Sequence, residues 1–156
     1  MDKIKLQKFK AVKLAYIEHI GRYDEVPYDQ YVPRLYAWAK ENKVRPGFKN
    51  INVFHDDPQK TEPSQCKCWI GIPIKGEANS DEKVKIQDIP ETEVATMKFK
   101  GPNTEYADAY KIIGEWMNEQ GYDWNGPSYE VCTKKPKIVH GEMILSTTIH
   151  VPIKKK

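Results

Sequence analysis

The chain contains an internal repeat whose two copies lie about 79 residues apart. Four short matches occur in the same order at offsets of 80, 78, 78 and 79 residues: 15–21 (AYIEHIG) with 95–101 (ATMKFKG), 35–38 (LYAW) with 113–116 (IGEW), 53–58 (VFHDDP) with 131–136 (VCTKKP), and 72–75 (IPIK) with 151–154 (VPIK). Two copies are too few for a solenoid, which needs three or more stacked units. The repeat therefore predicts a pseudo-two-fold domain, and ligand pockets tend to lie where two packed halves meet.

The length of 156 residues favours a single domain over residues 1–156, large enough to bury a core. The matches divide it into halves at about 12–75 and 92–154. Between them, residues 76–91 are polar and contain Asn79-Ser80-Asp81, which predicts a linker.

Composition excludes several classes of protein. No apolar run reaches the roughly 18–20 residues of a membrane span, and the N-terminus lacks the apolar core of a signal peptide, so we expect a cytoplasmic protein that does not enter membranes. The net charge is only +3, and just three of the 25 basic residues are arginine, which argues against direct nucleic-acid binding.

Each half has the pattern strand, helix, strand, strand, which predicts an α+β fold with an antiparallel sheet, helices on one face and a groove between the halves. The predicted helices cover 28–42 and 104–120, and the predicted strands cover 13–20, 49–54, 65–74, 93–100, 129–133 and 143–153. Pro33 should be tolerated only near a first turn, so the first helix is expected to start after Tyr28 or to bend. Thr104 is the expected N-cap of the second helix and Gly121 its C-cap.

Glu130 is the candidate functional residue. It occupies a short, otherwise weakly polar strand, and its counterpart in the first half is Asn52. If Val131 and Val53 pack against the helices, strand alternation turns Glu130 and Asn52 to the opposite face of the sheet. A carboxylate on an aromatic-lined face suits a cationic or polarised aromatic ligand. The alternative is an ordinary solvent-facing strand glutamate, which is common in antiparallel sheets.

The aromatic residues supply candidate walls for such a pocket, because a tyrosine combines an apolar ring with a polar hydroxyl. The candidates lie near the helix N-termini or in a strand, and they are Tyr23, Tyr28, Tyr31, Tyr106 and Trp69.

Metal or cofactor chemistry finds little support in the sequence. Cys66 and Cys68 form a CxC pair, but a structural zinc site needs four ligands at a recognisable spacing, and His55, Cys132 and His140 do not supply one. No phosphate-binding glycine loop, HExxH or GxSxG motif is present. We therefore expect no metal and no cofactor.

The order of the motifs resembles the GyrI-like domain, also called the AraC-type effector-binding domain. The resemblance covers about residues 10–154, and the segments that carry it are 17–23 (IEHIGRY), 31–38, 93–102, 109–116, Gly121, 127–130 (PSYE) and 149–153 (IHVPI). It implies a duplicated strand-helix-strand-strand fold with a ligand groove along the pseudo-dyad. In multidrug-sensing regulators of this type, aromatics and a buried glutamate bind lipophilic cations, and Glu130 falls on that glutamate.

Two residues depart from the family pattern. Asn103 and Cys132 stand where tyrosine is frequent, so both would remove an aromatic from the groove. The residues before the first predicted strand contain no helix-turn-helix, so we expect a stand-alone sensor domain without a DNA reader.

The sequence therefore predicts a small-molecule-binding protein for aromatic or cationic xenobiotics, with Glu130 as the charge and Asn52 as a polar partner. Some relatives hydrolyse strained cyclopropane-bearing toxins with a glutamate, so an alternative is such a hydrolase with Glu130 as its catalytic residue. A third alternative is a protein-binding module of the gyrase-inhibitor type, with gyrase or another protein as its partner.

Overall fold

The computed structural model describes residues 4–57 and 60–156, and the side chains of 103, 135 and 136 are outside the description. Two residues of the sequence repeat, Pro58 and the Pro136 side chain, therefore lie outside the described parts, as does the Asn103 side chain. The chain divides into two compact units. The N-terminal unit is Lys10–Glu91, and the C-terminal unit comprises residues 4–9 together with Thr92–Lys156.

Ten strands and two α-helices make up the fold of the described residues. The strands are β1 (Lys5–Phe9), β2 (Val12–Ile20), β3 (Arg45–Pro46), β4 (Ile51–Phe54), β5 (Lys67–Lys75), β6 (Lys85–Ile89), β7 (Thr92–Pro102), β8 (Tyr122–Trp124), β9 (Ser128–Val139) and β10 (Glu142–Lys155). The helices are α1 (Tyr28–Glu41) and α2 (Tyr106–Gln120), and short 3-10 turns cover Tyr23–Glu25, Pro63–Gln65 and Asn103–Glu105.

In the N-terminal unit the strands pair antiparallel in the order β4-β5-β2-β6, and the short β3 pairs with β5. Helix α1 covers one face of this sheet. Leu35, Trp38 and Ala39 of α1 pack on Ala15 and Ile17 of β2 and on the buried apolar residues of β5. Removing one large apolar side chain from water stabilises a core by roughly 1.5–3 kcal/mol, so this face fixes the register of β2 and β5.

In the C-terminal unit the order is β1-β7-β10-β9, again antiparallel, and β8 pairs with the end of β10. Helix α2 packs Ala109, Ile113 and Met117 against the sheet. The facing residues on the strands are Ala95, Met97, Phe99, Ile149, Val151 and Ile153.

The α+β class and the strand-helix-strand-strand order of each half are confirmed. Four of the observed strands were not predicted: the short β3 and β8, and the longer β1 and β6. β6 lies inside the predicted linker and pairs with β2, and β1 precedes the first predicted strand and pairs with β7. Both are edge strands rich in charged and polar residues, so their alternation is hard to distinguish from that of a polar loop.

The helix ends differ from the prediction in two places. Helix α1 begins at Tyr28 and continues through Pro33, which was expected to delay or bend it. Proline has no backbone N–H, so Pro33 cannot donate a hydrogen bond to the carbonyl oxygen of Asp29. Asp29 is exposed, so water can donate to that oxygen instead. At α2, Glu105 rather than Thr104 is the N-cap, because a 3-10 turn precedes the helix, whereas Gly121 is the C-cap as predicted, with φ of 81°.

No helix within the described ranges is both long and apolar enough to cross a membrane.

Candidate ligand-binding site

Glu130 lies near the start of β9 and faces α2. It sits opposite Ile149 of β10, whose side chain belongs to the core beneath that helix. Directly paired residues of antiparallel strands point to the same face, and only 6% of Glu130 is exposed. The orientation considered from the sequence, with Glu130 turned away from the helices, is therefore wrong. A solvent-facing role is also excluded, because the carboxyl group is buried.

Two tyrosines of α2 hold the Glu130 carboxyl group. Tyr106 and Tyr110 are four residues apart, so they lie on one face of the helix. The Tyr110 hydroxyl donates a hydrogen bond to Oε2 of Glu130, and the Tyr106 hydroxyl forms a second bond to the same carboxyl group. The helix therefore positions two donors over one buried acceptor.

Two further hydroxyl groups orient the tyrosines. The Tyr110 oxygen lies 3.0 Å from Oγ of Ser128, and the Tyr106 oxygen lies 3.0 Å from Oγ1 of Thr147. A phenol has one proton, so when it donates to Glu130, the serine or threonine must donate to the phenol oxygen. The five residues then form one hydrogen-bonded chain with Glu130 at its centre.

Aromatic rings flank this polar chain. Phe99 of β7 contacts Tyr106 with ring centroids 4.2 Å apart, and Trp124 of β8 stacks with Tyr110 at 6.3 Å and an interplanar angle of 20°. Trp124 is 46% exposed, whereas Phe99 is buried. The accessible side of the cluster is therefore an aromatic surface beside a buried carboxyl group.

Burial dominates the protonation of Glu130. It raises the pKa of the Glu130 carboxyl from 4.5 to about 7, although the hydrogen bonds from Tyr110 and Tyr106 act in the opposite direction. The pKa of each tyrosine is raised as well, by burial first and by the nearby carboxylate second. Near neutral pH, Glu130 is therefore present in both protonated and ionised forms.

No basic side chain within residues 4–57 and 60–156 forms an ion pair with Glu130. In the same part of the chain, no three His, Cys, Asp or Glu residues lie close enough together to hold a metal ion. The described partners of the carboxyl group are neutral hydroxyls, which stabilise its charge less than a cation would.

Of the other predicted site residues, Tyr106 lies beside Glu130 and five belong to the N-terminal unit. Asn52 of β4 lies opposite Ile70 on the face covered by α1, and only 3% of it is exposed. Its Oδ1 accepts a hydrogen bond from Nδ2 of Asn50 at 3.0 Å. Asn52 and Glu130 thus occupy equivalent faces within their own sheets, each on the helix side and not on the side considered from the sequence.

The aromatic candidates of the N-terminal unit have different surroundings. The Tyr23 hydroxyl lies within hydrogen-bonding distance of the carbonyl oxygens of Asp56 and Lys67, at 3.0 and 2.8 Å, so it ties a turn to β5. Tyr28 is exposed at the start of α1, and Tyr31 is half-buried against the core of that unit. Trp69 faces away from α1 and stacks on Tyr16 at 4.1 Å. Whether these residues share a site with Glu130 stays a prediction.

Sequence reasoning missed most of the immediate partners of Glu130. Tyr110, Ser128, Thr147 and Trp124 are not among the site residues predicted from the sequence. The signal for Tyr110 was its position four residues after Tyr106, which is typical of two side chains acting from one helix face. The hydroxyls of Ser128 and Thr147 could not be found without the strand register.

The model of the GyrI-like small molecule binding domain matches residues 2–154. The chain therefore belongs to this family of small-molecule-binding domains. It matches no curated protein sequence.

Solved structures share this fold at low sequence identity. The C-terminal domain of EcmrR superimposes with a TM-score of 0.82 at 16% identity, over 100% of this chain and 99% of that domain. In EcmrR bound to DNA the TM-score is 0.84, also at 16% identity, and the match covers 99% of this chain but only 58% of the EcmrR chain. A hydrolase encoded by lin2189 from Listeria innocua gives 0.68 at 14% identity, covering 97% and 92% of the two chains. SAV2435 bound to tetraphenylphosphonium gives 0.54 at 12% identity, covering 97% and 94%. At these identities the likeness is one of fold.

Proposed function

We propose that the chain binds small aromatic organic cations, and that Glu130 supplies the opposite charge. The observation that carries this proposal is a buried carboxyl group that has neutral hydroxyl partners and aromatic neighbours. Burying a carboxylate without a cation is costly, and a ligand that brings a positive charge removes that cost.

The aromatic rings favour the same class of ligand. A cation over the face of a tyrosine or tryptophan is attracted by the ring quadrupole, by about 0.5–2 kcal/mol. Trp124 and Tyr110 offer stacked rings next to the carboxyl group, and a flat or propeller-shaped aromatic cation would contact both kinds of group. Tyr23, Tyr28, Tyr31, Trp69 and Asn52 remain proposed contributors from the N-terminal unit.

The pH dependence of binding tests the proposal. Tetraphenylphosphonium is a suitable probe, since a protein of similar fold has been solved with it and since it has no titrating group. Because the pKa of Glu130 is about 7 in the free protein, a cation that requires the carboxylate should bind about tenfold more weakly at pH 6 than at pH 8. Fluorescence or calorimetric titrations across this range measure the effect.

The control for that titration is Glu130→Gln, which keeps the shape of the side chain and cannot ionise. Its weaker affinity should be the same at both pH values. If wild-type affinity is also independent of pH, the cation does not depend on the Glu130 carboxylate and the proposal is wrong.

A hydrolase is the second candidate, and the same carboxyl group favours it. A glutamate with a pKa near 7 can take a proton from water or give one to a leaving group at neutral pH. The discriminating experiment incubates a cyclopropane-bearing electrophile with catalytic amounts of protein. Consumption of many equivalents by the wild type but not by Glu130→Gln would establish hydrolysis, and recovery of the intact compound would leave binding as the function.

A further inference from the structure

Strand β2 extends beyond the neighbour that covers one of its edges. Its partner β5 pairs along residues 14–20, but β6 pairs only with residues 12–16. Within residues 4–57 and 60–156, β2 has no third partner strand. The four residues 17–20 therefore have an open edge on the β6 side.

A tight turn explains why β6 starts late. The Asp81 carboxylate accepts hydrogen bonds from the backbone N–H groups of Lys83 and Val84 at 2.8 and 2.7 Å. Val84 is then completely buried in the core of the N-terminal unit. The incoming chain is thus held away from the β2 edge until Lys85, which pairs with Tyr16.

The open edge presents backbone hydrogen-bonding groups. The N–H of Gly21 bonds to the carbonyl of Cys66 on the β5 side at 2.8 Å. Backbone groups of an antiparallel strand alternate from one edge to the other. Glu18 and Ile20 therefore direct their N–H and C=O groups to the uncovered edge, and the Ile20 side chain is 60% exposed.

A cleft of about 510 Å³ lies along this edge. Its lining includes Tyr16 and Glu18 from the sheet face opposite α1, and Ile17 and Tyr31 from the face that α1 covers. A cleft lined by three consecutive strand residues wraps around the strand edge, because successive side chains point to opposite faces. An added strand places alternate side chains on both faces and so fits this shape.

Side-chain contacts hold the part of the cleft that lies on the sheet face opposite α1. Tyr16 stacks on Trp69 with centroids 4.1 Å apart and an interplanar angle of 17°. The indole N–H of Trp69 donates to Oε1 of Glu18 at 3.2 Å. These contacts fix one side of the cleft before any partner arrives.

The charges at one end of the cleft indicate which part of a peptide would bind there. An antiparallel strand added opposite residues 20 to 17 would end where β6 begins, beside Lys83 and Lys85. Glu82 and Glu18 also line the cleft, so its four charged side chains balance, and the two lysines are the charges at the start of β6. A terminal carboxylate is complementary to this end, and it also allows the peptide to stop where β6 occupies the edge.

We propose that the β2 edge at residues 17–20 binds the C-terminal four residues of a partner protein as an added antiparallel strand. Backbone bonds to Glu18 and Ile20 supply the pairing, and Lys83 and Lys85 bind the terminal carboxylate. This site lies wholly in the N-terminal unit and does not use Glu130, so the Glu130→Gln variant distinguishes it from the cation site.

The test uses the tetrapeptide Thr-Val-Thr-Val, labelled with fluorescein at its N-terminus, in free-acid and C-terminal amide forms. As protein is added, we expect the fluorescence anisotropy of the free-acid peptide to rise to a plateau. The amide form should bind roughly tenfold more weakly. The double variant Lys83→Gln/Lys85→Gln should weaken the free acid to the level of the amide. The matched control Lys98→Gln/Lys100→Gln, which neutralises two exposed lysines of the C-terminal unit, and Glu130→Gln should both bind the free acid normally.

Amide NMR locates the peptide on the unmodified protein. On addition of the free acid, the amides of Glu18 and Ile20 should shift and become protected from hydrogen exchange. Equal binding of the acid and amide forms would overturn the proposal, and so would peptide binding that leaves those two amides unprotected. Absence of saturable binding would overturn it as well.

Discussion

Glu130→Gln should weaken the binding of tetraphenylphosphonium about 30-fold at pH 8, which corresponds to ~2 kcal/mol. At that pH the wild-type carboxyl group, with its pKa of about 7, is mostly ionised and supplies a buried opposite charge to the cation. Glutamine keeps the oxygen that accepts from Tyr110 and Tyr106, so the aromatic surroundings should be unchanged. Isothermal calorimetry of wild type and variant measures the difference.

Two controls separate charge from shape. Triphenylphosphine oxide is a neutral aromatic compound of related form, and its affinity should differ little between wild type and Glu130→Gln. Glu93→Gln removes an exposed carboxylate from the same unit and should leave tetraphenylphosphonium binding unaltered. Equal affinity of the cation for wild type and Glu130→Gln would show that the buried carboxylate is not its counter-charge.

Glu130→Gln should also remove a pH-dependent loss of stability. The folded protein holds the Glu130 proton up to about pH 7, whereas the unfolded chain releases it near 4.5. Because the folded pKa is the higher one, the free energy of unfolding of the wild type falls as pH rises through this window. The difference between the folded and unfolded pKa values of Glu130 corresponds to ~3 kcal/mol in the free energy of unfolding.

Urea unfolding at about pH 4 and about pH 8 measures this effect in both proteins. From the lower to the higher pH, the free energy of unfolding of the wild type should fall by ~3 kcal/mol relative to that of Glu130→Gln. His55 and His150, whose pKa values are lowered by burial, are common to both proteins, so their contributions cancel in the difference. A difference that stays constant with pH would mean that Glu130 has an ordinary pKa and is not buried as described.

Helical and strand periodicity predicted the framework of each unit. Tyr28 and Tyr106, 78 residues apart in the repeat, are the first residues of α1 and α2. The apolar residues at three- and four-residue spacing, such as Leu35 and Ile113, are completely buried under these helices. Gly121 ends α2 in the left-handed conformation that favours glycine. These features depend on local spacing, which a single sequence contains.

The face on which Glu130 lies could not be predicted in the same way. Strand alternation separates Glu130 from Tyr129 and Val131 but does not say which set meets the helix. The observed register answers this, since Glu130 pairs with Ile149 and Tyr129 pairs with His150. On the opposite face, Tyr129 stacks on Phe9 of β1, a strand absent from the prediction. The apolar partner that draws Tyr129 to that face was therefore missing.

The proton released on ligand binding tests the role of Glu130 most directly. At pH 6 about nine-tenths of the Glu130 side chains carry a proton if their pKa is about 7. Calorimetric titration of tetraphenylphosphonium in two buffers of different ionisation enthalpy counts the protons released. We expect about two-thirds of a proton per cation bound to the wild type, given about 30-fold tighter binding to the ionised form, and none for Glu130→Gln. Binding to the wild type without proton release at pH 6 would contradict a buried, proton-holding Glu130 as the counter-charge.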